Sequence, residues 1–127
     1  MPVTGVDHVN IQCRPEDLPA MRRFWGEVIG LAEGRRPDFN FPGIWFWAGD
    51  GAVVHIAARL PDGAPLPAAS GGTFGHIAFR ADGLAETRAR LARLGIPTRE
   101  APVPGFPLHQ IFLTDPAGIA VELTFGT

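Results

Sequence analysis

Over residues 5–13 apolar and polar side chains alternate, the two-residue period of a half-buried strand. Pro15-Glu16-Asp17 then predicts a helix start, with acidic residues near the positive end of the helix dipole. Leu18, Met21, Trp25, Val28 and Ile29 recur at helical spacing, and Gly30 supplies a stop. Beyond 34–37 the pattern is ambiguous around Phe39. Strands are then predicted over 44–48 and 52–59, with Asp50-Gly51 as the two-residue hairpin signal between them. Residues 61–73 hold three Pro, three Gly and four Ala or Ser without periodicity and are expected to link two units. The order of elements then repeats. A strand is predicted over 74–80 and a helix over 84–94, stopped by Gly95-Ile96-Pro97. Strands follow near 98–101, at 108–114 and at 119–125, the last two joined by the turn Asp115-Pro116-Ala117-Gly118.

The fold class expected is α+β, two tandem βαββ(β) units in one domain spanning 1–127. Module one covers about 1–60, the linker about 61–73 and module two about 74–127. Potential metal ligands mark the repeat. His8 and His76 are 68 residues apart, and His55 and Glu122 are 67 apart. Val6-Asp7-His8-Val9 is echoed by Phe74-Gly75-His76-Ile77, and Val53-Val54-His55-Ile56 by Ala120-Val121-Glu122-Leu123. A unit with one ligand on its first strand and one on its last can assemble a site where two such units meet.

Alternation assigns faces. Val6, Asn10 and Gln12 share a side with His8, and Val9, Ile11 and Cys13 take the other. Phe74, Ala78 and Arg80 go with His76, and Ala120 and Thr124 with Glu122. The His55 strand, with Val53 and Ala57 on the same side, is apolar on both faces and does not discriminate. A single strand histidine is ordinarily a hydrogen-bonded or exposed residue. Four candidates at repeat-equivalent places, one a carboxylate with apolar neighbours, favour a divalent cation as their common partner. Imidazole and carboxylate without thiolate suit Zn, Ni, Mn or Fe(II).

Composition narrows the chemistry. All eleven basic residues are Arg, so lysine Schiff bases are excluded, and Tyr is absent, so no phenol serves as acid or base. Ser70, in the expected linker, is the sole serine and makes a serine hydrolase a poor fit. A net charge of −2 gives no reason to expect nucleic acid or a membrane as partner. Cys13, the one cysteine, cannot form an internal disulfide, and the first residues lack the features of a signal peptide. A cytoplasmic location is expected.

At Asp7-His8-Val9, the 18–31 helix with Phe24-Trp25, Gly75-His76-Ile77-Ala78-Phe79 and, most specifically, Thr114-Asp115-Pro116-Ala117-Gly118 through Glu122-Leu123, the sequence resembles the vicinal oxygen chelate superfamily. That superfamily includes glyoxalase I, extradiol dioxygenases, fosfomycin-resistance enzymes, methylmalonyl-CoA epimerase and bleomycin-resistance proteins. The resemblance implies paired βαβββ modules forming a curled mixed sheet around a central cup that holds one divalent metal. It places His8, His76 and Glu122 at ligand positions and His55 at a fourth, where the imidazole either ligates or stands beside the metal as a base.

The activity implied is that of a glyoxalase-like lyase or isomerase. Its small substrate, chelated through vicinal oxygens and possible as an anion, passes through an enolate-type intermediate with His55 and Glu122 as catalytic groups. A ring-cleaving dioxygenase, for which two His and one Glu are the expected Fe(II) set, and a bleomycin-resistance-like binding protein are the alternatives. Arg80, His109, Trp47 and Asn10 are candidate substrate-binding residues; the face of His109 is left open by the sequence. Trp45, Trp47, Phe39 and Phe41 form an aromatic cluster suited to a groove, to core or to a dimer interface. Members of this length commonly form homodimers, with ligands contributed within one chain or across two.

Overall fold

The computed structural model describes residues 2–65 and 73–127, so most of the expected linker lies outside the described residues. Residues 1–66 and 67–127 form two compact units. In the first, β1 (Val9–Gln12) leads to a helical segment, then β2 (Ala32–Gly34), β3 (Gly43–Ala48) and β4 (Gly51–Ala57). The second runs β5 (Ile77–Arg80), α2 (Leu84–Arg93), β6 (Arg99–Pro102), β7 (Leu108–Thr114) and β8 (Ala120–Gly126). Each unit is therefore βαβββ, and the two mixed sheets have the same order, β1-β4-β3-β2 and β5-β8-β7-β6. In both, the first strand pairs in parallel with the last and the other pairings are antiparallel.

Several boundaries differ from expectation. The strand expected over 5–13 is hydrogen-bonded as β1 only at Val9–Gln12, and that expected over 74–80 only at Ile77–Arg80, so His8 and His76 each stand just ahead of their strand. The first helical segment opens with a 3₁₀ turn at Pro15–Asp17, is α-helical (α1) at Leu18–Arg22 and widens to a π-helix at Arg23–Val28. The extra strand of the first unit lies at Ala32–Gly34, ahead of the ambiguous stretch around Phe39, and its three exposed residues carry no alternation to read. The two-residue loop between β3 and β4 is Gly49-Asp50, one residue earlier than expected, because Ala48 pairs with Gly51. Gly30 does end the helix, at φ +93°, a conformation that favours glycine.

One face of each sheet is packed. Ile11, Cys13, Ile44, Phe46, Val54 and Ile56 are buried in the first unit, with Met21, Phe24, Trp25 and Val28 buried on its helix. In the second, Ile111, Leu113, Val121, Leu123 and Phe125 are buried, as is Leu91 of α2. The remaining strand positions form the faces on which the predicted ligands fall. Among the described residues no helix is long and apolar enough to cross a membrane.

Candidate metal and ligand-binding faces

In the first unit the register brings three rings together. β1 and β4 pair Asn10 with His55, and β3 and β4 pair Trp45 with His55, so these side chains share the face opposite the packed one. His55 is stacked between two neighbours. Its ring lies 3.8 Å from that of Trp45 at 9° and 3.8 Å from that of His8 at 13°. The pairing of β3 with β4 slips between Phe46 and Trp47, from Val54 to Ala52, which makes Val53 a bulge. His55 Nε2 lies 2.9 Å from the carbonyl oxygen of Ala52, three residues back, a reach that a regular extended strand does not permit. Because a carbonyl can only accept, His55 carries its proton on Nε2 and its lone pair on Nδ1. Burial lowers its pKa, as does the neighbouring His8, so the ring is held neutral.

His8 Nδ1 donates to Asp7 Oδ1 at 2.8 Å, which leaves Nε2 as the nitrogen with an available lone pair. The stack itself limits what the pair can do. Imidazole nitrogens donate in the ring plane, and two nearly parallel planes offer no common point for one ion. His8 and His55 therefore do not converge as ligands in this conformation. Asn10, whose Oδ1 accepts from Gln12 Nε2 at 2.7 Å, lines a cleft of about 360 Å³ with His8, His55, Trp45, Phe39 and Arg36. Trp47 belongs to a second cleft, with Arg35 and Pro37, and its Nε1 donates to the Arg35 carbonyl at 3.2 Å.

In the second unit β8 carries Glu122 beside Ala78 of β5 and Phe112 of β7. Glu122 Oε1 stands 3.4 Å from His76 Nε2, and Oε2 accepts from Gln110 Nε2 at 3.2 Å. Gln110 also donates to Thr124 Oγ1 at 3.3 Å. Two donor atoms each about 2.1 Å from one tetrahedral ion stand roughly 3.4 Å apart, so His76 and Glu122 fit the bite of a divalent metal. Arg80 pairs with Thr124 and so lies on the Glu122 face, exposed at its strand end.

His109, whose face the sequence left open, takes the other side. It pairs with Phe125 and shares the packed face with Ile111 and Leu113, opposite Glu122. There its Nε2 is 2.7 Å from Glu100 Oε1, and Arg88 Nη2 is 2.9 Å from the same oxygen. The Arg88 bond, then the His109 bond, lowers the Glu100 pKa. His109 is thus held in an ion-pair cluster and does not face ligand from the Glu122 side. Among the described residues no group of three or more His, Cys, Asp or Glu is arranged to hold a metal ion; within each unit the candidates come as a pair.

The sequence reading missed Gln110 and Arg36. Gln110 was open to inference, because the turn after Thr114 sets the register that places it beside Thr124 and one pair from Glu122. In that turn the buried Asp115 accepts from Ala117 N at 2.9 Å and Ile119 N at 2.8 Å. Arg36 lies in irregular chain and gives no such signal.

A family model described as the Glyoxalase/Bleomycin resistance protein/Dioxygenase superfamily matches residues 5–123. Solved structures share the fold. A glyoxalase family protein from Bacillus anthracis is 24% identical with a TM-score of 0.76, covering 98% of this chain and 97% of that one. A glyoxylase/bleomycin resistance protein/dioxygenase domain from Frankia sp. EAN1pec is 21% identical at TM-score 0.75, covering 98% and 99%. The fosfomycin resistance protein FosX from Listeria monocytogenes is 20% identical at TM-score 0.71, covering 98% and 95%. No curated protein matches the chain.

Proposed function

From membership of the glyoxalase, bleomycin resistance protein and dioxygenase superfamily, to which the chain belongs, we propose that it is a metal-dependent lyase or isomerase acting on a small 2-oxo or 2-hydroxycarbonyl compound. The observation that carries this reading is the His76–Glu122 pair, 3.4 Å apart with Glu122 held by Gln110. The family resemblance also assigns His8 as a ligand, and the Asp7 bond orients its Nε2. When bound, the ion supplies Lewis-acid polarisation of two neighbouring substrate oxygens and so acidifies the adjacent C–H. The resemblance assigns His55 as a base, and its free Nδ1 is the atom that can accept a proton. Its Nε2–H is fixed by Ala52, and its lowered pKa keeps it unprotonated and ready to accept. Asn10, its register partner, lines the same cleft and offers an amide to a substrate oxygen.

Solvent exchange at the substrate carbon tests this. Metal-loaded protein incubated in D2O with 2-hydroxycarbonyl compounds is expected to deuterate the carbon beside the carbonyl, followed by NMR. Chelation and His55→Ala should each abolish the exchange. Exchange that survives both would overturn the reading; oxygen uptake with catechols instead would replace it with ring cleavage.

A metal-free small-molecule binder is the second reading, favoured by the aromatic walls of the first unit's cleft.

A further inference from the structure

Arg36 carries a buried side-chain nitrogen, Nε, without a hydrogen-bond partner, and among the described residues it is the only such atom. Nη2 donates to the Phe41 carbonyl at 2.8 Å, and among the described residues no carboxylate forms an ion pair with this guanidinium. Its other neighbours are the rings of Phe39 and Phe41, each with its centroid 5.1 Å from Cζ. Phenyl faces attract the cation but offer it no strong acceptor, so the guanidinium is partly desolvated with donors left over. Arg59, 4.6 Å from the Phe41 centroid, adds a second positive charge. Among the described residues Asp7 is the one acidic residue lining the cleft, and it is engaged by His8.

The cleft is lined largely by rings. Trp45, His55 and His8 form one stack, each ring within 13° of parallel to the next. Phe39 and Phe41 stack 5.1 Å apart at 9°, and Phe39 lies tilted at 51° to Trp45. A volume of about 360 Å³ is at the small end of ligand sites. The aromatic lining favours an aromatic ligand and the unmatched cation favours an anion. Gly43 keeps the arrangement compact, since a side chain there would meet the Ile56 carbonyl and the Arg36 guanidinium.

We propose that this cleft binds an aromatic carboxylate, an acid whose ring packs against the aromatic lining and whose charge is met by Arg36. Arg36 would then be the residue that sets the substrate's charge. The proposal rests on the reading above only in taking the His8–His55 face as the substrate side.

Binding of benzoate and trans-cinnamate to the full chain stripped of metal tests it, by calorimetry, beside benzamide and cyclohexanecarboxylate. Both aromatic carboxylates are expected to bind wild type more tightly than the amide or the saturated acid. Arg36→Gln should weaken them by roughly tenfold or more. If that variant does not melt cooperatively, the carboxylate-to-amide comparison on wild type decides. No carboxylate binding at millimolar concentration, benzamide binding as tightly as benzoate, or a folded Arg36→Gln that binds equally well would each overturn the proposal. Carboxylate binding that requires added metal and ignores Arg36→Gln would overturn it while leaving the metal-dependent reading intact.

Discussion

The imidazoles of His8 and His55 lie face to face, 3.8 Å apart and 13° from parallel. Stacking gives the two histidines different work, because only one of them can point its lone pair at a given ion. His55, with Nε2 committed to the Ala52 carbonyl, is predicted to be the neutral Nε2–H tautomer. Nitrogen-15 chemical shifts of the metal-free protein at neutral pH should show Nε2 protonated and Nδ1 bare. A protonated Nδ1 would remove His55 as the base.

The same burial makes stability depend on pH. The folded ring protonates less readily than the unfolded one, whose pKa is near 6.5. Between that value and the lower folded pKa the unfolded chain binds more protons, so stability rises with pH across this window. This contribution is fully present above 6.5 and is lost as pH falls through the folded pKa. Thermal melts of metal-free protein should show the loss, and the slope should shrink in His55→Gln. An unchanged slope would mean that other groups carry it.

Gln110 is predicted to act through Glu122. By fixing Oε2 it leaves Oε1 toward His76. Gln110→Ala should weaken metal affinity by roughly tenfold or more, the usual effect of removing an outer partner of a ligand. Its cost in stability should be only about 1 kcal/mol. Competition with a chromophoric chelator reads the affinity directly, and an affinity equal to wild type would make Gln110 a bystander.

The cluster of His109, Glu100 and Arg88 should matter for stability and not for turnover, since it occupies the packed face. His109→Ala is expected to lower stability by about 1 kcal/mol while leaving deuterium exchange within roughly twofold of wild type. A large loss of exchange at unchanged stability would return His109 to the site.

Much of this was legible in the chain because a few residues fix registers. Asp115 and Gly118 set the last hairpin, and with it Glu122 beside Phe112; alternation then separates Glu122 from Val121 and Leu123. The order of elements predicted two βαββ(β) units, and the family resemblance the full βαβββ order that both units show. What escaped depends on relations that alternation does not encode. Ala32–Gly34 became a strand by pairing with Trp45, Phe46 and Trp47, and not through any pattern of its own. Val53, expected on the His55 side by simple alternation, sits in a bulge that changes what lies next to His55. The side taken by His109 followed only once β7 and β8 were in register, and Arg36 is placed by irregular chain and aromatic packing.

The central claim is that His76 and Glu122 hold a divalent ion while His55 does not. Metal content per chain, by elemental analysis of protein purified without a metal-affinity tag, tests it most directly. Wild type and His55→Ala should each carry close to one Zn, Ni, Mn or Fe, and the His76→Ala/Glu122→Ala double variant should carry none. Equal metal in the double variant, loss of metal in His55→Ala, or no metal in wild type after refilling with each ion would contradict the account.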